Sequence, residues 1–207
     1  MGWPKYTSRN FKLKKITYCL ILISSLSSQS ISSLNYNGFG LDVGERGSGL
    51  FFNRTWSNSE KLCFISEIRI FDVKHPDEII IQDYYTGRGY KFNDINLLLL
   101  PFFSGAKYYP FVGKIANNFA PFVSVKAGPI LSLDGAESGT FKEKWITNLD
   151  YYFTLGGYFG VGADLSTSNR TILSIRVGYD ILPMKGQIDG SDQYNGALVR
   201  FGFNWKK

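Results

Sequence analysis

The chain ends in Asn195–Lys207 (NGALVRFGFNWKK), a stretch whose side chains alternate between two kinds of chemistry. Every second residue from Ala197 is apolar, and the last three of these are large aromatics: Phe201, Phe203 and Trp205. The residues between them are polar or lack a side chain: Arg200, Gly202 and Asn204. A period of two is that of a β-strand, whose successive side chains point to opposite faces. The stretch therefore predicts a strand that separates an apolar environment from a polar one.

The same alternation recurs along the chain and predicts eight strands. The first begins near Tyr36 and includes 38–43, the next six cover 50–56, 62–73, 95–111, 120–133, 149–165 and 170–183, and the eighth is the C-terminal stretch 195–207. Their lengths are comparable with the roughly 9–11 residues that a tilted strand needs to cross a bilayer. The aromatic content of 16% and the 22 glycines also favour a β protein with many turns over a helical one.

The N-terminal segment has the three parts of a secretory signal peptide. Five basic residues precede the first acidic one: Lys5, Arg9, Lys12, Lys14 and Lys15. The apolar run 16–26 and the small-residue stretch 27–30 follow. An apolar run of this length is too short for a membrane-spanning helix, which needs about 20 residues. We therefore expect residues 1–30 to be a cleaved signal and residues 31–207 to form the mature domain.

The basic character of the chain belongs mainly to the predicted signal. The formal net charge is +6, but removal of residues 1–30 leaves 18 of the 23 basic residues against 17 acidic ones. Nucleic-acid binding then loses its main support, so no nucleic-acid partner is predicted. Cys63 is the only cysteine outside the signal, because Cys19 lies within it, and no intramolecular disulfide is expected.

The connections between the predicted strands alternate in length. Compact turns at 57–60, 113–118 and 166–169 alternate with long segments at 74–93, 134–148 and 184–194, whereas the first connection is short. Short turns at one end and long loops at the other are typical of an outer-membrane barrel, with the long loops outside the cell. We expect the three long loops to form an external binding surface.

A closed sheet is required if these strands cross a membrane, because lipid offers no partners for backbone amides and carbonyls. Eight strands enclose an interior that side chains just fill. The polar faces carry four acids and four bases: Asp42, Glu67, Arg69, Lys126, Asp164, Arg176, Asp180 and Arg200. In a narrow, dry lumen such charges must be paired and hydrogen-bonded. The sequence thus predicts an all-β, eight-stranded antiparallel up-and-down barrel with a charge network inside and apolar faces towards lipid.

Two other β architectures share this periodicity. One is a soluble, lipocalin-like barrel with its apolar face inward around a ligand, and the other is a β-sandwich. Aromatic residues near the predicted strand ends favour the membrane barrel, where such residues form girdles at the two interfaces. They are Trp56, Tyr108, Tyr109, Tyr151, Tyr152 and Trp205.

The C-terminal stretch also carries a resemblance to a known family. It resembles the terminal-strand signal by which the outer-membrane assembly machinery recognises barrels, on these residues: Gly196, Val199, Phe201, Phe203 and Trp205. It departs from that signal in ending on Lys206-Lys207. Segments 96–101, 120–129 and 177–179 are similar to small outer membrane protein β-barrel domains of the OmpA, OmpX and OmpW kind. The resemblance implies the outer membrane of a Gram-negative-type bacterium. It also implies as partners the outer-membrane lipids, lipopolysaccharide, assembly machinery and periplasmic chaperones.

No catalytic, cofactor or metal site is predicted. His75, the only histidine, is followed by Pro76-Asp77 and lacks the Ser two residues on that some lipid A-modifying barrels use. The glycines of 38–44 lack the spacing of a phosphate loop, and Asp189 and Asp192 lack the ligand count of a calcium loop. We expect a structural or interaction role in the cell envelope. A narrow channel or lateral route for small hydrophobic solutes, and a soluble lipocalin-like carrier, are the alternatives.

Overall fold

The computed structural model describes residues 35–74, 79–82, 84–85, 87, 89–92, 95–111, 114–115, 118–136, 149–168, 170–188 and 191–206. The strands are β1 (Tyr36–Gly44), β2 (Gly47–Ser57), β3 (Leu62–Val73), β4 (Ile79–Gln82), β5 (Gly89–Phe92), β6 (Leu97–Tyr108), β7 (Phe119–Asp134), β8 (Asp150–Ser166), β9 (Thr171–Ile181), β10 (Pro183–Ile188), β11 (Ser191–Gln193) and β12 (Gly196–Lys206). Across these ranges, no helix is long and apolar enough to cross a membrane. The predicted signal, His75 and most of the loop 134–148 lie outside the described residues.

Eight of these strands form one closed antiparallel barrel in the order β1-β12-β9-β8-β7-β6-β3-β2. The barrel closes where β12 pairs with β1, in a register that runs from Tyr36 opposite Lys206 to Gly44 opposite Leu198. The predicted eight-stranded up-and-down barrel is therefore confirmed. A single closed sheet also makes the β-sandwich alternative wrong.

The observed strand bounds differ most from the predicted ones in two places. The predicted fourth strand, 95–111, is shorter at both ends as β6, which covers Leu97–Tyr108. The first connection is only Glu45-Arg46, since the glycine-rich segment around it belongs to β1 and β2. Gly47 begins β2 with φ of 145°, a conformation that glycine adopts without a steric cost.

The two ends of the barrel differ. At one, called here the turn end, lie Asn35, Lys206 and the short connections 58–61, 109–118 and 167–170; at the other, the loop end, lie the turn 45–46 and the connections 74–96, 135–149 and 182–195. The hydroxyls of Ser59 and Ser168 accept hydrogen bonds from the amides of Leu62 and Thr171, at 3.1 Å in both cases. These side-chain bonds stabilise two of the tight turns.

Side chains alternate between the outer wall and the lumen, as the sequence predicts. Large apolar side chains on the wall are exposed, among them Phe39, Leu41, Leu50, Phe52, Ile68, Ile70, Phe102, Val125, Phe159, Val161, Ile175, Val177, Phe201 and Phe203. All eight charged residues predicted for the lumen are buried. This is the reverse of a soluble barrel, which buries apolar residues and exposes charged ones. The lipocalin-like alternative is therefore wrong.

Two hairpins extend the connections at the loop end. Strands β4 and β5 pair only with each other among the described strands, with Ile79–Ile81 opposite Phe92–Tyr90. At the tip of this hairpin, Tyr84 and Tyr85 are each 94% exposed, and their rings meet edge-on at 5.7 Å. Strands β10 and β11 pair in the same way within 182–195.

The β10–β11 hairpin has one buried and one exposed side. Met184, Ile188 and Tyr194 are buried, whereas Lys185, Gln187 and Asp192 are exposed, so the use of segment 184–194 as an external binding surface stays a prediction. The Tyr194 hydroxyl donates a 2.8 Å hydrogen bond to the Ile188 carbonyl oxygen. The hairpin therefore turns its apolar side chains inward, because burying them against the barrel removes them from water.

Replacing Gly40 by Ala should destabilise the barrel, because Gly40 leaves room for the ring of Phe51. A methyl group there would overlap the carbonyl oxygen of Phe201 and lie 2.5 Å from the Phe51 ring. We expect a loss of roughly 1–3 kcal/mol in the free energy of unfolding, typical of overpacking, measured by urea unfolding in lipid vesicles. Gly202→Ala is the control, since Gly202 pairs with Gly40 and its methyl group would meet nothing closer than 3.3 Å. Equal losses in the two variants would contradict this account.

Candidate functional site

The lumen is filled by three groups of side chains arranged along the barrel. The central ion cluster contains seven charged residues: Asp42, Glu67, Arg69, Lys126, Arg176, Asp180 and Arg200. The turn-end cluster contains Tyr36, Lys107, Tyr109, Asp164 and Ser174. The apolar cap lies towards the loop end and includes Phe71, Val73, Leu97, Leu99, Phe103, Ile130, Leu182, Met184, Ile188, Tyr194 and Leu198.

Two arginines hold the aspartates of the central ion cluster. Arg200 donates two hydrogen bonds to Asp42, from Nε to Oδ1 at 2.7 Å and from Nη2 to Oδ2 at 3.1 Å. Arg69 forms a fork with Asp180, at 2.9 and 2.8 Å, and its Nε lies 2.8 Å from Asp42 Oδ2. Such two-point contacts use the planar guanidinium group and fix the relative positions of the strands.

Glu67 is the most heavily paired carboxylate. Lys126 Nζ lies 2.8 Å from both of its oxygens, and Arg200 Nη2 donates to Oε1 at 2.8 Å. Arg176 Nη1 is further away, at 3.7 Å from Oε2. Because these cations come from β7, β12 and β9, a single β3 carboxylate connects four strands across the lumen.

Aromatic rings line the cations of this cluster. The Arg200 guanidinium carbon lies 4.4 Å from the centroid of the Phe51 ring, and Lys126 Nζ lies 4.3 Å from that of Tyr158. A cation over a ring face gains an electrostatic attraction that is stronger away from water. The rings thus help to hold four cations in a cluster that has only three carboxylates.

Asp164 was predicted to share the lumen network, but it lies in the turn-end cluster. Its Oδ2 accepts hydrogen bonds from Lys107 Nζ at 2.7 Å and from the Tyr109 hydroxyl at 2.6 Å. The Ser174 hydroxyl donates to its other oxygen. The structure therefore brings together seven of the eight predicted charges and places the eighth in a second network.

Lys107 and Tyr109 are the residues of this second network that sequence reasoning missed or misplaced. Lys107 was not assigned to the lumen, yet it is buried there and its Nζ lies 3.8 Å from the Phe122 ring centroid. Tyr109 was expected in an interface girdle but is buried. Burial raises the pKa of its hydroxyl well above the usual 10.0, and the Asp164 charge raises it further. The hydroxyl therefore stays protonated and donates to the carboxylate.

The remaining girdle residues divide between the two faces. Tyr108 and Tyr151 are exposed on the wall as expected, and Trp56 and Trp205 are half-buried. Tyr152 packs against the apolar cap instead, so its girdle assignment is wrong. Its neighbour Tyr151 takes the outward position, because two adjacent strand residues cannot share a face.

The apolar cap fills the loop end of the lumen, a feature that the sequence did not predict. Leu97, Leu99 and Ile130 of the strands are fully buried against side chains of the 182–194 segment. A cavity beside Phe71 and Leu182 has a volume of only 10 Å³, and about 10–15 Å³ is needed to hold one water. The described side chains are thus closely packed at this position.

Residues of the resemblance at the C-terminus take up both faces of β12. Phe201 and Phe203 are exposed on the wall, Val199 is half-buried, and Gly196 is buried at the loop end. Trp205 lies at the turn end, with its ring 6.0 Å from that of Phe39 and 6.5 Å from that of Phe52. Their recognition by an assembly machinery stays a prediction.

The described part of the chain offers no evident site for metal binding or thiol chemistry. It contains no group of three His, Cys, Asp or Glu side chains placed to hold a metal ion. Cys63 is a buried free thiol. The chemistry that the described lumen offers is ion pairing and packing.

The pair Lys107–Asp164 should be energetically coupled, because each side chain is the other's only close counter-ion among the described contacts. We expect Lys107→Met and Asp164→Asn each to lower the free energy of unfolding by about 3–5 kcal/mol, since each leaves a buried charge unpaired. The double variant should lose clearly less than the sum, as measured by urea unfolding. Lys185→Met, at an exposed position, is the control and should change stability by less than about 0.5 kcal/mol. Additive losses would contradict the pairing.

Comparison with known proteins gives matches by structure alone. No family model matches the chain, and no curated protein matches it by sequence. The neisserial surface protein A structure superposes with a TM-score of 0.55 at 9% identity, covering 84% of this chain and 96% of that one. The N-terminal barrel of Pseudomonas aeruginosa OprF gives 0.48 at 9% identity, covering 86% and 100%. P. aeruginosa OprG gives 0.48 at 13% identity, covering 84% and 95%. The chain has the closed eight-stranded barrel fold of the small outer-membrane barrel proteins, as its resemblance implied.

Proposed function

We propose that this protein is an integral outer-membrane barrel of a Gram-negative-type bacterium, exported by its N-terminal signal, with a structural and interaction role and no catalysis. The observation that carries the proposal is that the wall is apolar and the lumen is charged, which is the inverse of a soluble barrel. Phe39, Leu41 and Val161 on the wall are each more than half exposed, whereas Glu67 and Arg200 in the lumen are at most 1% exposed.

The exposed wall is too apolar for water. Each exposed apolar side chain would cost about 25 cal/mol per Å² of apolar surface. Soluble monomers rarely expose continuous apolar patches larger than about 300–600 Å². In a bilayer the same surface contacts acyl chains at no such cost, and a closed sheet pairs the backbone groups of neighbouring strands within the barrel.

The connections give the proposed orientation. In outer-membrane barrels the short turns face the periplasm and the long loops face outside. The turn end would then be periplasmic, and the β4–β5 hairpin would project from the cell. Its paired rings, Tyr84 and Tyr85, are the kind of exposed aromatic anchor that dominates protein interfaces. We assign the external contact surface to this hairpin.

The packed lumen disfavours the channel alternative. A solute would have to displace the Glu67 ion pairs and then the apolar cap around Leu99 and Ile130. Removing a partner from a buried ion pair costs about 3–5 kcal/mol, and several such pairs lie along the path. We therefore propose a barrel that does not conduct in its resting state.

The proposed partners follow from the same assignment. Lipids and lipopolysaccharide would cover the wall, and periplasmic chaperones would carry the unfolded chain. The assembly machinery would read the C-terminal strand at the five residues of the resemblance: Gly196, Val199, Phe201, Phe203 and Trp205. Their alternation in β12 supports this proposal, since four of them, all except Gly196, form one outward row.

The mature protein should require detergent or lipid to stay in solution, because its apolar wall is exposed. After folding into vesicles it should migrate differently on a gel before and after boiling, since a closed barrel resists unfolding by detergent until heated. Gel electrophoresis of both samples, with urea-unfolded protein as the control, measures this. Solubility without detergent, together with identical migration, would overturn the membrane assignment.

Chymotrypsin added to intact cells should cut the β4–β5 hairpin, because Tyr84 and Tyr85 are exposed at its tip. Replacing both by Ser should remove that cleavage product, and immunoblotting of the fragments measures it. Tyr109, which is buried at the turn end, supplies an internal control that should remain uncut. Cleavage at the hairpin only after the cells are broken would reverse the proposed orientation.

A further inference from the structure

An apolar groove with a volume of 490 Å³ lies where the wall meets the turn end. Its floor is formed by the wall position at which β7, β8 and β9 carry Pro121, Ala163 and Ile175 side by side. Ala163 has only a methyl group, whereas Val161 and Leu165 precede and follow it on the same face of β8. The groove lies at this position because the side chain of Ala163 projects less from the wall than those of its neighbours on β8.

One side of the groove is supplied by the connection between β6 and β7. Phe111 of this connection lines the groove together with Ala163. The Lys114 amide donates a 3.0 Å hydrogen bond to the Phe111 carbonyl oxygen, which forms a turn and holds the two residues close together. Phe111 is itself exposed and forms an apolar edge of the groove at this end.

The length of the groove covers much of one leaflet. It extends along β7 from Phe119 to Val123, and four steps at about 3.3 Å each give about 13 Å along the strand, or about 10 Å across the membrane for a strand tilted by about 40°. The hydrocarbon core of a bilayer is about 30 Å thick, so one leaflet contributes about 15 Å. A single extended acyl chain that begins at the turn end would lie along the groove.

Positive side chains at the turn end favour a lipid with an anionic headgroup. The two turn-end connections that join the strands of the groove to their neighbours, 109–118 and 167–170, contain the exposed residues Lys114 and Arg170 and no acidic residue. At the loop end, by contrast, β7 ends and β8 begins with Asp134 and Asp150. An anionic phosphate at the turn end would therefore meet only positive side chains from these two connections.

We propose that the groove binds one acyl chain of an anionic phospholipid from the periplasmic leaflet, with Lys114 and Arg170 at its phosphate. This rests on the proposed membrane location and adds a specific lipid site to it. Because the chain fits beneath Phe111, this lipid exchanges more slowly than those around the rest of the wall.

Native mass spectrometry tests the site. Wild-type protein is folded into bilayers of equal parts phosphatidylglycerol and phosphatidylethanolamine, extracted, and washed with detergent. We expect one retained phosphatidylglycerol, at least tenfold lower occupancy in Ala163→Leu, which fills the groove, and unchanged occupancy in Ala127→Leu. Ala127 is the matched control because it is exposed on the wall of β7 beyond the groove. Lys114→Gln with Arg170→Gln should abolish the preference for phosphatidylglycerol.

The outcomes separate the groove from the membrane assignment. Equal lipid retention by wild type, Ala163→Leu and Ala127→Leu, or retention of detergent only, would overturn the site. If all variants still show the heat-dependent gel shift, the barrel assignment stands and only the lipid site is wrong. If wild type neither enters bilayers nor shows the shift, both proposals fail.

Discussion

The pairing of β12 with β1 is the constraint on which the rest of the structure depends. It joins the two ends of the sheet from Tyr36–Lys206 to Gly44–Leu198 and leaves the barrel without an open edge. An eight-stranded barrel has an interior just filled by side chains, so closure places every inward residue in a dry, crowded space. The outward residues then have to match whatever surrounds the barrel. The division into a charged lumen and an apolar wall follows from closure.

The main effect of the ion clusters is then to fix the pairing register of the barrel strands. Buried ion pairs are weak evidence for stability, because their attraction only offsets the cost of removing charges from water. A slip of one residue in β12, however, would move Arg200 to the wall and Phe201 into the lumen. It would also leave Asp42 and Glu67 without the guanidinium that both contact. In this barrel the charges penalise wrong registers, and the closed ladder and the packing of the apolar cap hold the right one.

The sequence predicted the strands and most of the charge network because both depend on a period of two. The sequence could not predict which residues point inward where both faces of a strand are apolar. Residues 97–103 are apolar on both faces. They therefore do not show which alternate residues of β6 face the lumen, and the inward position of Lys107 could not be predicted from them. Tyr108 and Tyr109 both lie near a strand end, and only the phase of β6 decides that the first points outward and the second inward. The burial of Met184 and Ile188 depends on a hairpin folding back, and local periodicity carries no information about that contact.

The central claim is that the apolar wall faces lipid and the charged lumen excludes it. Methyl NMR of the protein in lipid nanodiscs that contain a spin-labelled acyl chain measures this most directly. The methyl signals of Leu41, Val161 and Ile175 on the wall should broaden strongly, whereas those of Leu99 and Ile130 inside should not. Broadening of the inner methyls, or wall methyls broadened only by a water-soluble paramagnetic probe, would contradict the account.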